Sequence, residues 1–202
     1  IVALTNFLTK MGARIDGAGT KRLEIEGVDA LHPVDEEMIP DRIEAATFLI
    51  AGALTGGTLR IEKCKPADLT AVTSKLAEAG AIVEIGSDWI KLKAPRSLKP
   101  VDVTTSIFPG FPTDVQAQWM VLMSVAKGTS VITDTIYFDR FKHVPELVRL
   151  GADIEMKNNV ARVKGVKNLA GATVMSTDLR ASASLVLAGL VAQGKTEVLR
   201  VY

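Results

Sequence analysis

Aspartate and arginine residues stand at positions where alanine-rich helices are predicted to begin. Asp114 follows Thr113 in the string PGFPTD. Asp178 follows Thr177, and Arg180 comes two residues further on. The free N–H groups and the positive dipole end at a helix start attract anions, and an arginine fork binds carboxylate or phosphate through two hydrogen bonds. A carboxylate beside such a site could accept a proton. The pattern therefore indicates anion binding combined with acid–base chemistry.

A purely structural interpretation stays open for each of these residues. Aspartate is a favoured N-cap, worth about 1 kcal/mol, so Asp114 and Asp178 could simply begin helices. Arg180 is harder to explain in this way, because a cation at a helix N-terminus opposes the helix dipole. A bound anion would account for it.

The segments that carry these residues recur along the chain. One series, 6–15, 73–83 and 145–154, is predicted to form a helix that ends in Gly-Ala and runs into a strand, with a second strand after it. An interleaved series predicts an alanine-rich helix, a glycine and a strand; its members are 40–62, 112–133 and 177–199. The repeating unit is helix, strand, helix, strand, strand.

The alanine-rich helices are predicted to lie in the interior. The stretches 45–54, 117–126 and 181–192 have almost no polar face, which is typical of a buried helix. The strands instead alternate apolar residues with charged ones, as in WIKLKAP (89–95). The sequence therefore predicts an α/β fold with helices inside and sheets outside, and with the helix N-termini gathered at one end.

Composition narrows the class of function. The 202 residues include 24 Lys and Arg against 23 Asp and Glu, so the net charge of +1 creates no overall field that favours nucleic acid or an anionic membrane. The longest apolar stretches fall far short of the roughly 20 residues that span a bilayer. The single cysteine, Cys64, excludes a disulfide within the chain and suits a reducing compartment. We expect a cytoplasmic protein without nucleic-acid or membrane partners.

The polar segment HPVDEEMIP (32–40), bracketed by prolines, is predicted to be a linker. Residues 1–38 would then end one domain, and residues 39–202 would form most of a second domain, truncated at its C-terminal end. The chain begins within a predicted helix and stops directly after a predicted strand. We therefore expect it to be part of a longer protein.

Five strings carry a resemblance to a known family: PDRIEAATFL (40–49), PGFPTDVQAQW (109–119), TIYFDRFKHVPEL (135–147), GADI (151–154) and STDLRASASLVLAGLVAQG (176–194). In this order they resemble the UDP-N-acetylglucosamine 1-carboxyvinyltransferases, the enolpyruvyl transferases that open peptidoglycan synthesis. The resemblance runs from the first residue to the last. It implies an inside-out α/β barrel, with two similar domains of three repeats each and substrates in the cleft between them.

The resemblance also implies a reaction and residue roles. The family joins the 3-hydroxyl of UDP-N-acetylglucosamine to C2 of phosphoenolpyruvate and then expels phosphate, without a metal or other cofactor. Asp114 is implied to contact the sugar near its 3-hydroxyl and to accept a proton, and Asp178 to take part in proton transfer and positioning. Arg180 is implied to bind phosphoenolpyruvate, Arg140 to line the cleft, and the Ile136 backbone to meet the uridine nucleotide.

Purely structural alternatives remain for Arg140 and Ile136. Arg140 is explained equally well by a surface ion pair with Asp139 or Glu146. Ile136 is explained by a place in a strand core. We expect His143 on a solvated helix face or as a cap, without a catalytic role.

The family's reactive cysteine loop would lie upstream of Ile1, and Cys64 does not match it. The family's arginine motif after the final strand is also not in this chain. We therefore expect the chain to be inactive alone and to contact its missing N-terminal domain in the complete enzyme. Two other functions stay open: transfer to shikimate 3-phosphate, and a non-catalytic nucleotide-sugar-binding or interaction module.

Overall fold

The computed structural model describes residues 1–201, which fall into two compact units. The first ends at Pro40 and the second begins at Asp41. The predicted boundary after residue 38 lies two residues before this division. The assignment of the two parts to the first and second domains of a longer enzyme stays a prediction.

The first unit contains one helix and one hairpin: α1 (Val2–Lys10), β1 (Arg14–Asp16) and β2 (Glu24–Glu26). The two strands are antiparallel, with Ile15 opposite Ile25. Residues 27–40 form no helix or strand, in agreement with the predicted linker. No helix within residues 1–201 combines the length and apolar character needed to cross a membrane.

The second unit repeats the predicted order of elements. The first copy consists of α2 (Arg42–Leu54), β3 (Thr58–Ile61), α3 (Thr70–Glu78), β4 (Ile82–Ile85) and β5 (Ile90–Lys93). The second consists of β6 (Val103–Thr104), α4 (Gln116–Ser124), β7 (Thr129–Thr133), α5 (Val144–Arg149), β8 (Asp153–Lys157) and β9 (Val160–Lys164). The last part contains β10 (Leu169–Ala170), β11 (Thr173–Met175), α6 (Leu179–Val191), β12 (Ala192–Gln193) and β13 (Glu197–Leu199).

The described strands of this unit form four separate sheets. Their orders are β3-β5-β4, β6-β7-β9-β8, β10-β12 and β11-β13. The short strands β6, β10 and β11 precede the interior helices and were not predicted. All three pair in parallel with a strand that follows the helix: β6 with β7, β10 with β12 and β11 with β13. The helices α4 and α6 therefore each cross between parallel strands.

Glycine ends the outer helices as predicted. α1, α3 and α5 are each followed by a glycine at positive φ, namely Gly12, Gly80 and Gly151, with φ of 102°, 102° and 88°. An L side chain is strained in this conformation, whereas glycine is not, so these positions stop the helix and turn the chain into the next strand.

The interior helices α2, α4 and α6 pack against one another behind the sheets, which confirms the α/β class with helices inside. All nine residues of α4 are buried. Burial of the other two is incomplete, because Phe48 on α2 and Val186 and Leu190 on α6 are at least half exposed among the described residues. The expectation of complete burial therefore holds only for α4.

Candidate functional site

Asp114 lies on a 3-10 turn, Thr113–Val115, that leads into α4. Pro112 occupies the cap position, and the Asp114 carboxylate makes no capping hydrogen bond. Instead it forms a close ion pair with Arg140 Nη2, and its Oδ1 lies 3.4 Å from Arg180 Nε. The cap interpretation of Asp114 is therefore wrong, and the structure brings three of the four predicted charged residues into one cluster.

Arg140 reaches this cluster from the loop between β7 and α5. Its guanidinium also donates through Nε to the carbonyl of Thr113 at 3.3 Å and lies 5.5 Å from the centre of the Tyr137 ring. The side chain is only 18% exposed. The alternative of an ion pair with Asp139 or Glu146 is wrong, because these carboxylates pair with other cations, Lys142 and Arg149.

Asp178 and Arg180 lie at the start of α6. Asp178 is the N-cap, and its Oδ1 accepts hydrogen bonds from the backbone N–H groups of Arg180 at 2.7 Å and Ala181 at 2.8 Å. The cap interpretation is therefore right for this aspartate. None of the hydrogen bonds within residues 1–201 uses its second oxygen, Oδ2. The cap orients the turn from which the Arg180 side chain extends to Asp114.

Ile136 lies in the loop after β7, and its side chain is 42% exposed, so the strand-core interpretation is wrong. Its backbone N–H donates to Asp134 Oδ1 at 2.9 Å. Its carbonyl accepts no hydrogen bond from any residue in 1–201. The backbone atom left for a ligand is therefore the carbonyl oxygen.

Asp134, which the sequence analysis missed, is completely buried at the end of β7. Its carboxylate accepts hydrogen bonds from two threonine hydroxyls and two backbone N–H groups, those of Thr105, Thr113, Ile136 and Tyr137. The available signal was its place directly after a strand, because aspartate readily accepts hydrogen bonds from N–H groups two and three residues ahead.

His143 is only 1% exposed, so its expected place on a solvated helix face is wrong. It caps α5 by position, and its Nδ1 lies 3.1 Å from the Arg140 carbonyl oxygen. Since a carbonyl only accepts, Nδ1 carries the proton. Burial lowers the pKa of His143 to about 4; the Asp178 charge opposes this shift and the Arg140 charge favours it. The imidazole is therefore neutral near pH 7.

A pocket of about 340 Å³ adjoins the cluster. Its lining combines three cations with two carboxylates and comprises Tyr137, Asp139, Arg140, Lys142, Thr177, Asp178, Leu179 and Arg180. A hydrogen bond from Lys142 to Asp139 raises the pKa of that lysine, so it is charged at neutral pH. The pocket can bind an anion between two arginines and a helix N-terminus.

Cys64 lies apart from this chemistry, in the segment after β3. The thiol is buried, and burial raises its pKa, which keeps it protonated at neutral pH. This environment agrees with the expectation that Cys64 does not act as the reactive cysteine. Within residues 1–201 no three His, Cys, Asp or Glu side chains are grouped in a way that could hold a metal ion.

The sequence profile described as EPSP synthase (3-phosphoshikimate 1-carboxyvinyltransferase) matches residues 1–202. The chain belongs to this family. Among curated relatives, a UDP-N-acetylglucosamine 1-carboxyvinyltransferase of Myxococcus xanthus is 55% identical over 199 residues, covering 98% of this chain and 47% of the relative. One of Chlorobium chlorochromatii is 56% identical over 202 residues, covering 100% of this chain and 48% of the relative. The chain thus spans about half the length of the curated relatives it matches.

Solved structures show the same architecture. The enolpyruvyl transferase NikO of Streptomyces tendae superimposes with a TM-score of 0.83 and 32% identity, over 96% of this chain and 47% of that one. An EPSP synthase of Acinetobacter baumannii superimposes with a TM-score of 0.69 and 20% identity, over 96% of this chain and 49% of that one. At this identity the second likeness shows the fold alone.

Proposed function

We propose that this chain is part of an enzyme that transfers the enolpyruvyl group of phosphoenolpyruvate to the 3-hydroxyl of UDP-N-acetylglucosamine and releases phosphate. This is the first committed step of peptidoglycan synthesis, a cytoplasmic process. The observation that carries the proposal is the Asp114 carboxylate, held between Arg140 and Arg180 where α4 and α6 begin.

The two arginines are suited to bind the anionic substrate. One carboxylate neutralises only one of the two guanidinium charges, so the cluster keeps a net positive charge. Arg180 also lies in the first turn of α6, where the helix dipole adds to the attraction for an anion. A phosphoenolpyruvate carboxylate or phosphate would compete with Asp114 for these guanidinium groups.

Asp114 can then serve as the proton acceptor. Once the substrate anion engages the arginines, the Asp114 carboxylate is free to accept the proton of the sugar 3-hydroxyl. The hydroxyl oxygen forms a bond to C2, and the methylene carbon takes up a proton. The bond from C2 to the phosphate oxygen then breaks, the carbon returns a proton, and the enol ether and inorganic phosphate result.

The choice of UDP-N-acetylglucosamine as the acceptor substrate rests on sequence identity to relatives. Relatives named as UDP-N-acetylglucosamine transferases are 55–56% identical to this chain, whereas the Acinetobacter EPSP synthase is 20% identical. These identities support UDP-N-acetylglucosamine over shikimate 3-phosphate. The Ile136 carbonyl is the proposed contact for the uridine nucleotide, since its N–H is already bonded to Asp134. Competition between the two acceptors would decide this point.

Asp178 has a second role in the proposal. Its Oδ1 caps α6 and thereby orients Arg180, while Oδ2 has no hydrogen bond within residues 1–201 and is free to join the proton-transfer network. We propose that the complete enzyme closes over this cluster with its first domain, and that this chain alone is inactive.

The decisive test measures phosphate release by the full-length enzyme. Asp114→Ala and Arg180→Ala are each expected to lower kcat/KM by about a hundred-fold or more. The matched control is Arg60→Ala, which removes an arginine of β3 that stacks on Trp89 in the turn between β4 and β5 and should leave turnover unchanged. Near-normal turnover in both site variants would refute the residue assignment.

Calorimetry of this chain with UDP-N-acetylglucosamine tests the alternative that the protein is a non-catalytic nucleotide-sugar-binding module. We expect no heat, because the proposed site needs both domains. Strong binding by the folded chain, together with a full-length protein that releases no phosphate, would favour a nucleotide-sugar-binding module.

A further inference from the structure

The Asp134 carboxylate is buried without a cationic partner among residues 1–201. Its Oδ1 accepts from the Thr105 hydroxyl and from the N–H groups of Ile136 and Tyr137, each at 2.9 Å. Its Oδ2 accepts from the Thr113 hydroxyl at 2.7 Å. Burying a charge is costly unless hydrogen bonds replace the lost water, and here four donors do so. An ionised carboxylate is well suited to this place because it only accepts.

The backbone of Asp134 is held as firmly as its side chain. Its N–H donates to the carbonyl of Asn159 at 3.0 Å, and Asn159 Nδ2 donates back to the Asp134 carbonyl at 2.9 Å. The next N–H, that of Thr135, donates to the Thr105 hydroxyl at 3.0 Å. Asp134 is thus anchored to the turn between β8 and β9 and to the end of β6.

Three of the four partners of this carboxylate belong to the two segments that carry the proposed site. Thr113 directly precedes Asp114 on the 3-10 turn. Ile136 and Tyr137 begin the loop that continues to Arg140. Arg140 joins the same two segments a second time, because it donates to the Thr113 carbonyl and pairs with Asp114.

We propose that Asp134 is a positioning residue for the transfer reaction: it holds the turn that carries Asp114 in register with the loop that carries Ile136 and Arg140. The inference rests on the proposed function and deepens it. The two carboxylate oxygens divide the task. Oδ2 acts on Asp114 through the Thr113 hydroxyl, whereas Oδ1 shapes the loop whose Ile136 carbonyl is the proposed nucleotide contact.

This division predicts different kinetic effects for two variants of the full-length enzyme. Thr113→Val removes the bond to Oδ2 and leaves the three bonds to Oδ1. It should lower kcat about ten-fold, because a small displacement of a proton acceptor is costly, and leave KM for UDP-N-acetylglucosamine within about two-fold. Asp134→Ala removes both sets of bonds and should lower kcat further and also raise that KM.

Two further variants separate positioning from general damage. Asp134→Asn keeps an acceptor for the loop N–H groups and places an amide donor opposite the Thr113 hydroxyl, which can rotate to accept. It should recover most of the activity that Asp134→Ala loses. Thr73→Val removes a buried hydroxyl of α3, which bonds the Leu69 carbonyl at 3.2 Å, and should leave kcat unchanged.

A double-mutant cycle tests whether Thr113 acts through Asp114. In an Asp114→Ala background, Thr113→Val should cause no further loss of the residual kcat. The same fractional loss in both backgrounds, an unchanged kcat in folded Thr113→Val, or an Asp134→Asn enzyme as poor as Asp134→Ala would each overturn the positioning role. An unmodified enzyme that releases no phosphate would overturn the proposed function itself, so the two failures are distinguishable.

Discussion

The starts of α4 and α6 look alike in sequence and differ in structure. Both have Thr-Asp before a largely apolar helix. Asp178 adopts the extended backbone of an N-cap and bonds the first N–H groups of α6. Asp114 lies inside a 3-10 turn that begins after Pro112, where no such bond forms, and its carboxylate pairs with Arg140 and Arg180. One residue type therefore stabilises a helix at one place and forms an ion-pair cluster at the other.

The difference follows from local backbone geometry. A capping aspartate needs its carboxylate to lie beside the N–H groups two and three residues ahead, in the way that Asp41 also bonds those of Ile43 and Glu44 on α2. The 3-10 turn places Asp114 within the helical segment instead. A carboxylate that is released from capping is available for other partners.

The largest expected effect comes from the same substitution at both aspartates of the full-length enzyme. Asp114→Asn removes the proposed proton acceptor and should lower kcat about a thousand-fold. Asp178→Asn keeps the cap, since asparagine caps as well as aspartate, and should lower kcat only about ten-fold. Steady-state phosphate release measures both. Equal losses of kcat in the two variants would contradict the proposed difference between the two aspartates.

The next effect concerns His143, whose pKa is influenced by charges from both regions: that of Asp178 at the start of α6 and that of Arg140, the partner of Asp114. Burial lowers its pKa to about 4, whereas the imidazole of the unfolded chain titrates near 6.5. Between these values the unfolded chain binds a proton that the folded chain does not, so stability falls as the pH drops through this window. The loss should approach about 3 kcal/mol at pH 4 and below.

Urea unfolding at a series of pH values would measure this loss. His143→Asn is the matched variant, because its amide can replace the Nδ1 donor to the Arg140 carbonyl without a titrating group, and it should flatten the dependence between pH 6.5 and 4. An unchanged slope in that variant would assign the pH dependence to other groups. Asp178→Asn should lower the pKa of His143 further, because the Asp178 charge opposes the shift.

The smallest expected effect is on stability. Asp178→Ala removes the cap of α6 and should lower the free energy of unfolding by about 1 kcal/mol, as should Asp41→Ala on α2. Asp114→Ala removes no cap, so we do not expect it to lose the free energy of unfolding that a helix cap contributes. Denaturant titration of the three variants compares them directly. A destabilisation of Asp178→Ala that Asp178→Asn does not relieve would contradict the capping role.

Much of the architecture was predictable because it depends on short-range rules. Periodicity predicted the helix–strand repeat, and glycine predicted the helix ends at residues 12, 80 and 151. The apolar composition of α4 predicted its burial. The short parallel strands were missed, because two or three residues carry too little periodicity to be recognised.

The sequence predicted which residues belong to the site better than it predicted the contacts between them. Asp114, Arg140 and Arg180 were named together from the resemblance. Their mutual contacts were not. The alternative for Arg140 named Asp139 and Glu146 as partners, because neighbours in sequence are the only ones that sequence alone displays. The burial of Asp134 and His143 was missed for the same reason.

The amino-acid sequence by itself determined the repeat, the interior helices and membership of the family. Each of these depends on spacing or on neighbours within a few residues. The tertiary structure alone decided that one carboxylate meets two arginines, one from a loop and one from the start of α6, and that a second carboxylate is buried among four donors. Such contacts join residues far apart in the chain, and their energies depend on burial and distance, which arise only when the elements pack.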